Sequence, residues 1–148
     1  MKKVAIGCDP NAADLKDIVK KELEELGYEY EDYGSDDPIY ANVAIAVAEA
    51  VAAGKHDRGI LICGTGIGMS ITANKVPGAY AALCSNAYST ERSRKSNNAN
   101  IMTMGSQTIG SQLAKTLVKV WMESEYTPGG RSEPKIQRIY DYAREHHT

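Results

Sequence analysis

Histidine and cysteine are scarce in this chain: 148 residues carry three of each. Cys8, Cys63 and Cys84 stand far apart, with no C-x-x-C pair and no Cys/His pair at zinc spacing. That excludes a disulfide scaffold and a zinc module, and the odd count suits a reduced, cytoplasmic protein. His56 precedes an expected strand, while His146 and His147 are almost the last residues of the sequence. A mechanism centred on a mid-chain histidine is therefore hard to build. A basic excess is missing too: 17 Lys plus Arg face 19 Asp plus Glu, a formal net charge of −2, which argues against a nucleic-acid partner. Long apolar runs are absent as well. Val43 to Ala53 contains Glu49 and falls short of the roughly 20 residues of a membrane span, and the few apolar residues between Lys3 and Asp9 do not make a signal peptide. With 43% hydrophobic and 24% charged residues, and no repeat or linker, residues 1–148 read as one globular domain.

Strands and helices are expected to alternate. Val4 to Cys8 is a short apolar run ending at Asp9-Pro10-Asn11, and Leu15, Ile18, Val19, Leu23 and Leu26 then recur at helical spacing until Gly27. This predicts strand, turn, helix and cap. Tyr28 to Tyr33 reads as a polar edge strand, and Ile39, Val43, Val47 and Val51 as a helix stopped by Gly54. Arg58 to Cys63 lacks polar alternation, as a strand covered on both faces does. A glycine-rich turn with a short helix to Asn74 follows, then a strand at 80–84, a helix at 88–96, a strand at 101–104, and helices at 109–122 and 134–146. Alternating βα units imply an α/β fold, a parallel sheet with helices on both faces, whose ligands bind beyond the carboxyl ends of the strands where strand order reverses. All three cysteines fall at such ends.

The strongest local signal is Cys63-Gly64-Thr65-Gly66-Ile67-Gly68-Met69-Ser70. Three alternate glycines between a buried strand and a helix start bring backbone N–H groups up to a ligand, which suits a phosphate or an oxyanion; a tight structural turn is the plainer alternative. The dinucleotide fingerprint fails, because Met69 or Ile71 stands where its third glycine belongs, and no Gly-Lys-Ser/Thr closes a Walker loop. Cys63, beside these amides, is placed to act as a thiolate; a small hydrophobe ending a strand is the competing reading, and it is kept for Cys8 and Cys84. Asp9 is either a turn-capping carboxylate or a partner of Cys63 across the switch point. Arg131 and Lys135, four apart at a helix start, are a phosphate clamp or a solvated face. Asn97, Asn98 and Asn100 read as loop caps.

Gly7-Cys8-Asp9, Cys63 to Gly68 with Ala73-Asn74-Lys75-Val76-Pro77-Gly78, Ser93-Arg94 with Asn97 and Asn100, Gly105-Ser106, and Tyr126 with Gly129-Gly130-Arg131 together resemble the type B ribose 5-phosphate isomerases and the related galactose 6-phosphate isomerase subunits. The resemblance implies a Rossmann-like three-layer sandwich with a five-stranded parallel sheet. It also implies a homodimer or homotetramer whose active sites are shared between subunits, with the C-terminal helix near the partner. The implied activity is aldose–ketose isomerisation of a small phosphorylated sugar through a cis-enediolate, without metal or cofactor. Cys63 matches the family's base, since the glutamate that some relatives use is Met69 here. Thr65 and Asp9 would join the chemistry, Gly64, Gly66, Ile67 and Gly68 would hold the enediolate, Ser96 and Asn97 would meet the sugar, and Arg131 with Lys135 would grip the phosphate. Four positions depart from the pattern: Pro10 and Ser96 replace histidines, the latter the ring opener, and Gln107 and Lys135 replace arginines. A four-carbon sugar phosphate, which forms no furanose ring, would need no ring opener; for a larger sugar Ser96 or a water would have to serve. A catalytically silent sugar-phosphate binder, or one subunit of a hetero-oligomer, is the alternative.

Overall fold

In the computed structural model, which describes residues 1–146 and leaves His147 outside the described residues, five strands alternate with six helices. The strands are β1 (Val4–Cys8), β2 (Tyr30–Asp32), β3 (Gly59–Cys63), β4 (Ala81–Leu83) and β5 (Ile101–Gly105). The helices are α1 (Ala13–Glu25), α2 (Tyr40–Ala52), α3 (Ile67–Ala73), α4 (Ala87–Lys95), α5 (Ser111–Met122) and α6 (Glu133–His146). All pairings are parallel, in the order β2-β1-β3-β5-β4. Successive connections leave β1 in opposite directions, so the carboxyl ends of β1 and β3 flank the point where strand order reverses.

The period-two alternation of β1, β3 and β5 separates two apolar layers. Val4, Ile6, Ile60, Ile62, Met102 and Met104 pack beneath α1 and α5, while Ala5, Leu61, Cys63 and Ile101 face α2 and α3. These strands are buried throughout, as the unbroken run Gly59–Cys63 requires. The edge strands are shorter than the sequence suggests. β2 pairs over 30–32 rather than 28–33 and β4 over 81–83 rather than 80–84, because an edge strand has a ladder on one side only. Cys8 and Cys63 end their strands, and Cys84 lies one residue past β4. Between Asp9 and α1 the chain forms a 3-10 turn, Pro10–Ala12, which Pro10 opens with its preset φ. Among the described residues no helix is long and apolar enough to cross a membrane, and no group of three or more His, Cys, Asp or Glu gathers as a metal site would.

His56 is buried and spoken for: its ring nitrogens bond the Tyr33 hydroxyl at 2.8 Å and the Lys3 carbonyl at 2.7 Å. A second buried polar cluster fixes the chain between α5 and α6. The Arg58 guanidinium donates to the carbonyls of Trp121, Met122 and Ser124 at 2.8, 3.1 and 3.0 Å and to Glu125 at 2.6 Å. Arg94 adds bonds to Ser124 and Ala99, and both guanidiniums lie near the Trp121 ring, 5.4 and 6.0 Å from its centroid. Burial beside Arg58 pushes the Arg94 guanidinium below its ordinary value. Arg58→Met leaves these carbonyls without their donor. The expected loss is about 3–5 kcal/mol, read as a fall in melting temperature of roughly 10 °C; an unchanged melting temperature would show that water replaces the arginine.

Candidate active site

Cys63 is the last residue of β3, and its sulfur lies within the turn that follows. Its Sγ accepts the Gly66 N–H at 3.1 Å, and the residue is 5% exposed. Gly66 turns the backbone at φ +80°, a region closed to most side chains. A Cβ there would also lie 2.6 Å from Leu83 and 2.9 Å from the Met104 carbonyl carbon.

Strand β5 and the loop after it hold this turn from behind. The buried Thr103 hydroxyl donates to the Gly66 carbonyl at 2.9 Å, the Ser106 N–H to the Cys63 carbonyl at 2.8 Å and the Gln107 N–H to the Gly64 carbonyl at 2.9 Å. With those carbonyls drawn toward β5, the N–H groups of Gly64, Thr65 and Gly68 find no backbone acceptor among the described residues. These three are the donors a bound oxyanion could take. The other two in the segment are engaged: Gly66 donates to Cys63 and Ile67 to the Thr65 hydroxyl at 3.2 Å. Of the four residues expected to hold the enediolate, Gly66 and Ile67 thus have engaged amides, while Gly64 and Gly68, joined by Thr65, keep theirs without a backbone acceptor. Tyr40 lies against Gly68, and the Gln107 side chain lies beside Gly64.

Asp9 performs the capping role and also lies at the switch point. Its Oδ1 accepts the Ala12 N–H at 3.0 Å, while its own N–H donates to the Ile62 carbonyl at the end of β3, at 3.2 Å. The other two cysteines are unsuited to proton abstraction. Burial pushes the Cys8 thiol up to about 11, and burial also raises that of Cys84, so both stay protonated near neutral pH.

The remaining sequence candidates gather elsewhere. Ser96, Asn97, Arg131 and Lys135 line a cavity of about 440 Å³ between α4 and the start of α6. No residue of the Cys63–Ser70 segment, nor Asp9 or Gln107, lines it. Ser96 and Asn97 follow α4 at the amino-terminal edge of the sheet, while Cys63 ends a strand at the carboxyl edge; five residues of strand put about 15 Å between those edges. Asn98 and Asn100 do serve the loop, Asn98 at φ 51° and Asn100 by bonding the Tyr80 N–H and the Gly78 carbonyl.

Arg92 was not legible as a candidate, yet it lines the same cavity. The signal available was its spacing, four residues before Ser96 on one helix face. Thr103 was missed too, because a threonine inside a strand run reads as ordinary strand composition.

The chain matches the family model described as Ribose/Galactose Isomerase over residues 4–139. It is similar to a D-erythrulose-4-phosphate isomerase of Pectobacterium atrosepticum, 45% identical with 99% of each chain covered. It is also similar to a protein named Ribose-5-P isomerase B of Listeria innocua, 48% identical with 90% of this chain and 92% of that one covered. Among solved structures, the Ribose-5-Phosphate Isomerase B of Clostridium thermocellum superposes with a TM-score of 0.90 at 40% identity, covering 97% of this chain and 98% of that one. With a fold, a cysteine-ended glycine loop and a full-length match in agreement, the chain belongs to the Ribose/Galactose Isomerase family and is a sugar-phosphate isomerase, an intramolecular oxidoreductase.

Proposed function

We propose that the chain interconverts an aldose phosphate and its ketose through a cis-enediolate, with Cys63 as the base. The observation that carries this reading is the Cys63 sulfur set 3.1 Å from the Gly66 N–H in a loop where the Gly64, Thr65 and Gly68 N–H groups have no backbone acceptor among the described residues. The sulfur takes the proton from C2 of the open-chain aldose, and the C2–H pair becomes the C1=C2 bond of the enediolate. The proton returns to C1, O2 gives up its hydrogen to become the ketone oxygen, and O1 gains one to become a hydroxyl. The Gly64, Thr65 and Gly68 amides meet the developing oxyanion, in a direction fixed before substrate arrives. The Thr65 hydroxyl and Asp9 hold sugar hydroxyls, and no step calls for a metal or cofactor.

Arg131 and Lys135 supply the phosphate seat, with Ser96 and Asn97 beside it, and a second copy of the chain brings that seat to the loop. Two observations support this. The cavity shares no lining residue with the loop, and Ile67, Ile71, Leu83 and Tyr88 on α3, β4 and α4 are exposed, an apolar surface of the kind that subunits cover. In such a homodimer or homotetramer α6 lies against the partner. Among sugar phosphates a four-carbon substrate is favoured: Ser96 and Pro10 stand where the resemblance implies histidines, and the Pectobacterium relative bears the name of a tetrulose-phosphate isomerase.

Mixing inactive variants tests the shared site. Cys63→Ser and Arg131→Ala chains, each inactive alone, are expected to recover about a quarter of wild-type activity after exchange into 1:1 dimers, because one site in each hybrid is then intact. No recovery after verified exchange would place base and seat on the same chain.

A further inference from the structure

The cavity between α4 and α6 holds three cations, Arg92, Arg131 and Lys135, and no carboxylate lines it. Arg92 is the one whose role the reading above leaves open. It is only partly exposed, at 39% of its side chain, and its guanidinium is turned by two neighbours: Nη1 donates to the Ser96 hydroxyl at 3.2 Å and Nη2 to Glu91 at 3.2 Å. Its Nε is buried and has no partner among the described residues. Each outer nitrogen of the guanidinium makes one bond and so keeps a second N–H for an anion in the cavity that the side chain borders.

We infer that Arg92 is a third phosphate-binding cation, and that through its bond to Ser96 it restricts the enzyme to phosphorylated sugars that arrive as open chains. This rests on the isomerase reading given above. Two physical arguments carry it. First, a phosphate dianion offers more acceptors than Arg131 and Lys135 occupy, and a planar guanidinium beside them adds paired donors that lysine cannot. Second, opening a sugar ring needs a group that exchanges protons with the ring oxygen and the anomeric hydroxyl. Arg92 does not release protons in this range, and its cation on the Ser96 oxygen disfavours a further proton there. The Ser96 oxygen already touches Nη1 at 3.2 Å, so a larger imidazole on residue 96 competes with the arginine for that space. A tetrose 4-phosphate, whose O4 is esterified, presents a free carbonyl and fits such a seat.

The test uses the purified full-length chain with erythrose 4-phosphate and ribose 5-phosphate as alternative substrates, and calorimetric binding of 4-phosphoerythronate, a non-reacting tetrose-phosphate acid. Arg92→Met is expected to raise KM for the tetrose phosphate and weaken binding of the acid about tenfold or more, with kcat within about threefold, the pattern of lost binding common to ground and transition states. Arg92→Lys is expected to restore part of the affinity, which separates a charge role from folding. Wild type is expected to prefer the tetrose phosphate in kcat/KM, and Arg92→Met with Ser96→His to shift that preference toward the pentose phosphate by about tenfold. Unchanged binding of the acid by Arg92→Met would overturn the proposal, and so would a wild-type preference for the pentose. Failure of the Cys63 reading is distinguishable, because it would leave Cys63→Ser active while the binding results with Arg92 variants stood unaffected.

Discussion

Cys63→Ser is expected to lower kcat by about 10²–10⁴-fold, with KM for the sugar phosphate nearly unchanged and exchange of the C2 hydrogen with solvent deuterium lost in parallel. The substitution isolates the base because so little else changes. A serine oxygen at the same position still accepts the Gly66 N–H, the buried packing beneath α2 and α3 loses only a slightly larger atom, and the Gly64, Thr65 and Gly68 amides stay where the bonds to β5 and the loop after it hold them. What is lost is an atom able to take a proton from carbon near neutral pH, since a hydroxyl is a far weaker acid than a thiol and its anion is not populated. Cys8 and Cys84 give no compensation, as burial keeps them protonated. Retention of more than a tenth of kcat would remove Cys63 from the base role. Deuterium exchange without turnover would instead put the lost step after proton abstraction.

Gly66→Ala is expected to cost about 2–4 kcal/mol of stability, the sum of an unfavourable left-handed backbone and the displacement of a packed neighbour. It is also expected to lower kcat by roughly 10²-fold, the usual effect of disturbing a preorganised donor set. The two losses come from one cause. The methyl would meet Leu83 at 2.6 Å and the Met104 carbonyl carbon at 2.9 Å, so the turn must move off β5, weakening the Thr103 bond and rotating the amides. Gly64→Ala is the control. Its nearest neighbour would be the flexible Gln107 side chain at 3.6 Å, so thermal stability should change by less than about 1 kcal/mol. Equal melting temperatures for Gly66→Ala and wild type would show that the loop is not held by its fit against β5.

The layers of the fold were legible because they follow from periodicity. A run such as Gly59–Cys63 fits only a strand covered on both faces, and the four-residue steps of α2 fit only a helix against it. Strand length at the edges was not, since Tyr28, Tyr33, Tyr80 and Cys84 have strand-compatible side chains and lose their ladder only through position. In the candidate site, the glycine loop after Cys63 could be read from contiguous residues. The α4–α6 cavity could not, because it joins Arg92 and Ser96 to Arg131 and Lys135 across a strand and a helix. The Arg58 and Arg94 cluster that fixes the chain between α5 and α6 runs through carbonyls, which leave no mark in a sequence.

The Cys63 glycine loop and the cation-lined cavity have no residue in common. On the proposed reading, proton transfer and phosphate recognition are therefore separable modules: one is locked to the central strands, the other lies between α4 and α6, a helix whose buried residue is Ile136 and whose Tyr140 ring meets Tyr80. A graft of 126–146 together with 92–97 from a homologue of different sugar preference should carry that preference with it and leave the reaction chemistry in place, making this scaffold a natural starting point for retargeting by segment exchange.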